Sequence, residues 1–176
     1  MMFFTLLFAI ALSGLGYFAY VGYQRRKLAS RSWGDVLGNL EPVDLDGLRR
    51  IADSFLQPDK NQLGIEPAEM WKIVGGLEGL NRLKTNAWAM LHLAVFAERW
   101  NCEQGIIVSE MIRRDAVRLN RAIIRIQLGV LFQFGFVRSP FYLQEAVASY
   151  YLIRSRLVGL YQISHVGLIP CLEKAL

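Results

Sequence analysis

The first charged side chain in this chain is Arg25. Ahead of it lies MMFFTLLFAIALSGLGYFAYVGYQ, a stretch in which Met2 to Tyr23 is overwhelmingly apolar, and RRK follows at once. About 20 apolar residues in helical form cross the roughly 30 Å hydrocarbon core of a bilayer. The length and the absence of charge therefore predict a transmembrane helix over residues 1–24. A cleaved signal peptide is the main competitor, but such peptides begin with basic residues and carry an apolar run of about 7–15 residues before a small-residue cleavage site. Here no basic residue precedes Phe3, the run is too long, and Ala9-Ile-Ala11, the nearest approach to a cleavage site, lies in its middle.

Charge fixes the expected orientation. Arg25, Arg26, Lys27 and Arg31 flank the span on its C-terminal side, with no lysine or arginine before it, so the positive-inside rule places the N-terminus outside and the rest of the chain in the cytoplasm. Tyr17, Tyr20 and Tyr23 gather near the same end, where amphipathic rings favour the headgroup layer. Together these seven residues form the expected membrane interface. Ala9, Ser13 and Gly16 fall within about 60° on a helical projection, a small-residue face through which another membrane helix can approach closely. The expected partners are thus the lipid bilayer and either other subunits of a membrane complex or a second copy of the chain.

The net charge of +5 and a pI near 9.4 invite a nucleic-acid reading. Most of that excess sits in the basic flank, where anionic lipid accounts for it; residues 32–176 carry 16 basic and 15 acidic side chains. Within them, residues 35–112 hold 7 basic and 12 acidic groups, and residues 113–176 hold 9 and 3. Mutual pairing of an acidic and a basic half is the first explanation such asymmetry suggests. Two cysteines, Cys102 and Cys171, stand in no motif spacing, which fits a reducing compartment and argues against a disulfide framework.

After the basic flank, residues 25–43 read as a juxtamembrane linker whose SRSWGDVLGNLEPV end leaves room for one helical turn. A helical domain is expected over 44–176. Asp44 or Asp46 caps a first helix to about Gln57 with Leu45, Leu48, Ile51, Ala52 and Phe55 on one face. Pro67, preceded by Glu66, opens the next, with a bend or break at Gly75-Gly76. Leu77, Leu80, Leu83, Ala87, Trp88, Leu91 and Val95 then form a stripe, and WAMLHLAVF is expected to be the most enclosed element. Asn101 and Gln104 resemble a capping box that starts a long helix at Cys102. Ser139-Pro140 starts another to about Ser164, and a short piece closes the chain. No strand pattern competes, so the fold class is all-α: one N-terminal transmembrane helix followed by a four- to five-helix bundle.

Two constellations bear on function. Arg114, Arg118, Arg121 and Arg125 are spaced i, i+4, i+7, i+11 and share about 60° of a helix. Arginine's planar fork binds carboxylate and phosphate bidentately, so this stripe either pairs with the acidic half of the chain or grips an anionic partner. Nucleic acid is disfavoured, because no recognition motif accompanies the stripe. The second is a shortage: Ile126–Leu176 holds six charged residues in fifty-one, about half the ordinary share, together with many Phe and Tyr. An apolar, tyrosine-rich surface that covers a partner or touches the bilayer is expected there, the other reading being a very enclosed terminal helix.

Catalytic signals are weak. His92 and His165 lack metal-ligand spacing, Cys102 has no evident base, and the nucleophile-elbow, dinucleotide and phosphate-loop patterns are missing from the sequence. No catalytic residue, metal or cofactor is assigned. The sequence thus points to a non-catalytic, single-pass membrane-anchored accessory or assembly subunit of a larger membrane complex. The alternative is a membrane-tethered binding or signalling module that recognises an acidic ligand, lipid headgroup or nucleic acid through the arginine stripe.

Overall fold

In a computed structural model the described residues are 32–56, 65–98, 102–131, 140–164 and 168–176, and all their regular structure is helical. The all-α expectation therefore holds, with seven helices among the described residues: α1 (Trp33–Leu37), α2 (Leu45–Leu56), α3 (Pro67–Val74), α4 (Gly76–Glu98), α5 (Cys102–Leu131), α6 (Pro140–Ser164) and α7 (Ile169–Ala175). None of these helices is long and apolar enough to cross a membrane. The expected span over 1–24, with Ala9, Ser13, Gly16, Tyr17, Tyr20 and Tyr23, lies outside the described residues, as do Arg25, Arg26, Lys27 and Arg31 of its flank.

The chain divides between Asp35 and Val36 into two compact units. At the end of the first, Ser32 and Asp35 form a reciprocal cap: the Asp35 N–H donates to Ser32 Oγ at 3.2 Å, and the Ser32 N–H donates to Asp35 Oδ2 at 3.1 Å. Two of the donors a helix start leaves open are satisfied in this way, which is why so short a helix as α1 forms in the expected linker.

The second unit is a helical bundle whose four long members are α2, α4, α5 and α6. Asp44 is the cap of α2, its Oδ1 accepting the Gly47 N–H at 3.0 Å, and Leu48, Ile51 and Ala52 are buried as the spacing predicts. Pro67 opens α3 behind an extended Glu66. The break after α3 is made by two consecutive glycines with positive φ, Gly75 at 81° and Gly76 at 65°, a region side-chain-bearing residues rarely visit. The Gly75 N–H returns to the Lys72 carbonyl at 3.1 Å, closing the helix in a left-handed cap. Gly79 lies one turn into α4, where the Val74 carbonyl occupies the space a Cβ would need.

α4 is enclosed as expected at Ala89, Met90, Leu91, Leu93 and Ala94, although Trp88 and Val95 face outward, and α6 shares the centre with it. Five consecutive residues, Ala146 to Tyr150, are buried, so this part of the helix is covered on every side, and α6 packs on α5, α2, α4, α3 and α7. A helical stretch without charge on any side belongs inside, and the small side chains of Ala146, Ala148 and Ser149 let its neighbours come close. α4 turns Leu80, Leu83, Ala87, Met90, Leu93 and Ala94 inward. The expected stripe on this helix mixed two faces: Leu77, Trp88 and Val95 point outward, Trp88 being 48% exposed.

The expected tyrosine-rich surface is likewise corrected. Tyr150 and Tyr161 are buried with their hydroxyls bonded inside, Tyr161 donating to the Leu93 carbonyl at 2.9 Å; Tyr142 and Tyr151 are half-buried. Phe141 alone among the described aromatic residues of this third is exposed, in edge contact with Phe55 at 5.8 Å. Phe132, Phe134 and Phe136 lie outside the described residues. The shortage of charge reflects enclosure of α6.

One polar node ties the interior together. Asn86 of α4, 1% exposed, accepts the Glu41 N–H at 2.8 Å through Oδ1 and donates through Nδ2 to the Glu41 carbonyl at 2.7 Å and to Tyr150 Oη at 3.3 Å. Its amide thus clamps the segment before α2 onto α4 and α6. Burial pushes the Tyr150 hydroxyl above its ordinary pKa, with the bond from Asn86 opposing the shift.

Two substitutions test this account. Asn86→Ala strands the buried Tyr150 hydroxyl, at about 1–3 kcal/mol for a buried orphan, and frees the part-buried Glu41 main chain; a loss of roughly 1–3 kcal/mol is expected in urea unfolding, and a loss within experimental error would contradict the clamp. Gly79→Ala pushes a methyl against the Val74 carbonyl, and a loss of about 1–3 kcal/mol or more is expected, readable as a lowered Tm by circular dichroism.

Candidate functional site

The long helix α5 has two faces that its sequence encodes separately. Ser109, Ile112, Asp115, Ala116, Leu119, Ile123 and Ile126 recur at three- and four-residue intervals and are buried, the period of one helical face. On the far side, Ile106, Val117, Ile124, Leu128 and Leu131 repeat with spacings of 11, 7, 4 and 3, and all are exposed, from 43% for Ile124 to 72% for Leu131. An apolar row thus runs along the outside of the bundle.

The four arginines of the predicted stripe lie beside this row. Arg114, Arg118, Arg121 and Arg125 are exposed, and among the described residues the one carboxylate of the acidic half that any of them pairs with is Glu110, one turn away on the same helix. Arg114 reaches Glu110 at 3.4 Å, Arg113 reaches the same carboxylate at 2.8 Å, and Arg118 lies 3.9 Å from Asp115, all on α5 itself. Arg125 stacks over the Tyr142 ring at 5.2 Å from its centroid. No carboxylate pairs with Arg121 among the described residues. Exposed i, i+3 and i, i+4 pairs hold side chains only weakly, so the stripe keeps most of its capacity for an external anion. Glu110, Arg113, Arg114, Val117, Arg118 and Arg121 line a shallow groove of about 300 Å³.

Asp115 stands among these arginines in the sequence. The structure turns it inward, where its carboxylate, 2% exposed, is gripped by Arg156 of α6. Arg156 also donates to the Met111 carbonyl at 3.2 Å. This ion pair locks the most extensive contact in the bundle, that of α5 with α6, and its place was legible in the sequence, because position 115 falls inside the buried repeat. Burial raises the Asp115 pKa, opposed by the charges of Arg156 and Arg118.

The outward face continues onto α4. Gln127 Nε2 of α5 donates to Asn81 Oδ1 of α4 at 3.2 Å, pairing the end of one helix with the beginning of the other and so fixing an antiparallel register. Leu77 and Trp88 of α4 are exposed as well. Sequence reasoning placed Trp88 in the core. The spacing alone could not show which side of α4 lay against α6.

The catalytic candidates are not brought together. His92 is half-buried on α4, His165 lies outside the described residues, and the Cys102 side chain is outside them as well, although α5 does begin at this residue. Cys171 is exposed. Among the described residues no group of three or more His, Cys, Asp or Glu could hold a metal ion. A second cleft, of about 360 Å³ between α2, α3 and α4, is lined by Pro42, Asp44, Ile73, Gly75 and Arg82 among others, and it contains neither histidine nor cysteine. Compared with models of known families, with characterised proteins and with solved structures, the chain matches none.

The Asp115–Arg156 pair yields a pH-dependent prediction. A carboxyl whose folded pKa is raised contributes most below its unfolded value, and that contribution is lost as pH rises through the folded value. Arg156→Met removes the main opposing charge and leaves a buried carboxylate, which costs about 3–5 kcal/mol at neutral pH. The deficit relative to the wild type should shrink as pH falls and Asp115 is protonated. Urea unfolding of both proteins at neutral and mildly acidic pH checks this; a deficit that does not change with pH would show that the pair is not the cause.

Proposed function

We propose that this chain is a non-catalytic, single-pass membrane-anchored accessory or assembly subunit, with its helical bundle held at the cytoplasmic face of the membrane. The uncharged run from Met2 to Tyr23 and the basic flank at Arg25, Arg26, Lys27 and Arg31 support the anchor and its orientation. Ala9, Ser13 and Gly16 offer the span a surface for another membrane helix, from a different subunit or a second copy. No cofactor is assigned, and the chemistry-bearing residues His92, Cys102 and His165 have no role in this reading.

The observation that carries the reading is the outer face of α5, where an apolar row and an arginine row are both exposed. An exposed apolar row, running from Val117 to Leu131 with Ile106 beyond Glu110 and Arg113, marks a site of contact, and the arginines give the contact a sign. The same exposure favours the second reading, a membrane-tethered module that binds an anionic group through Arg114, Arg118, Arg121 and Arg125. The two readings agree on the anchor and differ in whether the bundle or the span makes the defining contact.

Alkaline carbonate extraction of membranes tests the anchor: the protein should stay in the pellet and retain residues before Tyr23. Release into the supernatant, or a tag at Leu176 labelled from outside intact cells, would overturn it. Gentle detergent extraction with mass spectrometry of co-purifying proteins tests the assembly role, for which stoichiometric companions are expected; a monodisperse lone monomer would remove that role.

A further inference from the structure

We infer that the outer face of α5, extended by Trp88 of α4, lies on the anionic surface of the bilayer, with its apolar row in the headgroup layer and its arginines on lipid phosphates. The inference rests on the anchor proposed above and names the partner of the bundle's exposed face.

Charge complementarity selects this occupant. Beside the apolar row stand Arg114, Arg118, Arg121 and Arg125, with Arg113 and Glu110 in the gap between Ile106 and Val117; Glu110, the one accessible carboxylate among these arginines in the described residues, is already shared by Arg113 and Arg114. A second copy seated on this face would bring two arginine rows together. Nucleic acid would satisfy the arginines but leave Ile106, Ile124, Leu128 and Leu131 against a polar backbone. An anionic bilayer meets both demands, since its phosphates take the guanidinium forks while the headgroup–acyl boundary takes the apolar side chains and the indole of Trp88.

Reach makes the contact available. Tyr23 at the end of the span and Trp33 at the start of α1 are ten residues apart, which the extended chain covers in at most about 35 Å. A domain tethered so closely meets the membrane at high effective concentration. The α5 helix, thirty residues long, spans about 45 Å at 1.5 Å per residue, and its apolar row extends from Ile106 to Leu131, so a large part of the helix can lie in the plane of the surface.

The test uses the full chain, with Cys102 and Cys171 replaced by Ser, reconstituted into vesicles of phosphatidylcholine alone or with a third of the lipid replaced by phosphatidylglycerol. An environment-sensitive fluorophore is attached at Ile124→Cys or, as a control on exposed α3, at Glu69→Cys. In phosphatidylglycerol vesicles the label at 124 should shift to the blue and be quenched several-fold by lipids brominated on their acyl chains, and the control should do neither. Raised salt, or Gln at Arg114, Arg118, Arg121 and Arg125, should reverse the shift. A label at 124 that stays water-like in anionic vesicles, in protein that resists carbonate extraction, overturns the inference while leaving the anchor intact. A label shielded in both vesicle types without bromine quenching also overturns it, since a protein, a second copy included, then covers the face. If carbonate releases the protein, the anchor reading fails separately, and sedimentation of the soluble chain with phosphatidylglycerol vesicles, together with the shift at 124, decides the docking.

Discussion

Between Ala146 and Tyr150 every side chain of α6 is buried, and the rest of the bundle is arranged to make that possible. A stretch of helix buried on every side must be surrounded, and α2, α3, α4, α5 and α7 are what pack on α6. The consequence is an allocation problem. Each surrounding helix has one apolar face to spend on α6 and its neighbours, and whatever apolar residues remain on its other side are left outside. α5 shows the result most plainly, since its thirty residues carry two apolar rows and the core takes one.

Polar interactions then fix where the surrounding helices sit. The amide of Asn86 holds Glu41 and Tyr150 to α4, Tyr161 reaches the Leu93 carbonyl, and Arg156 grips Asp115 across the α5–α6 contact. Each is a buried group with its partner in place, and removing one partner is more costly than the bond is worth. Such contacts add little to net stability compared with apolar burial. They do specify register, because a slip of one residue would strand all of them.

The outward character of α5 follows from the same allocation. Had the arginines found carboxylates on α2, α3 or α4, the acidic and basic halves of the chain would neutralise each other inside the fold. Instead, among the described residues, the arginines of α5 find carboxylates only on α5 itself, Arg113 and Arg114 at Glu110 and Arg118 near Asp115, while Arg82 takes Glu41 and Glu78 and Arg49 takes Asp53. The bundle therefore keeps an arginine-rich side, and it is this side that also carries the unpartnered apolar row.

Local features were legible in the order of residues because each depends on a few neighbours. Asp44 as a cap, Pro67 and Pro140 as first residues, Gly75-Gly76 as a break and the helical period of the apolar residues all act within one or two turns. The stripe of Arg114, Arg118, Arg121 and Arg125 was visible for the same reason. What the sequence could not decide was which of two apolar faces on α4 and α5 would be covered, that Trp88 would point outward, or that Tyr150 and Tyr161 would be interior anchors instead of surface. Those outcomes depend on α6 taking the centre, a choice made by the packing of five helices at once and by pairs such as Asn86 with Tyr150 and Asp115 with Arg156, which lie 64 and 41 positions apart.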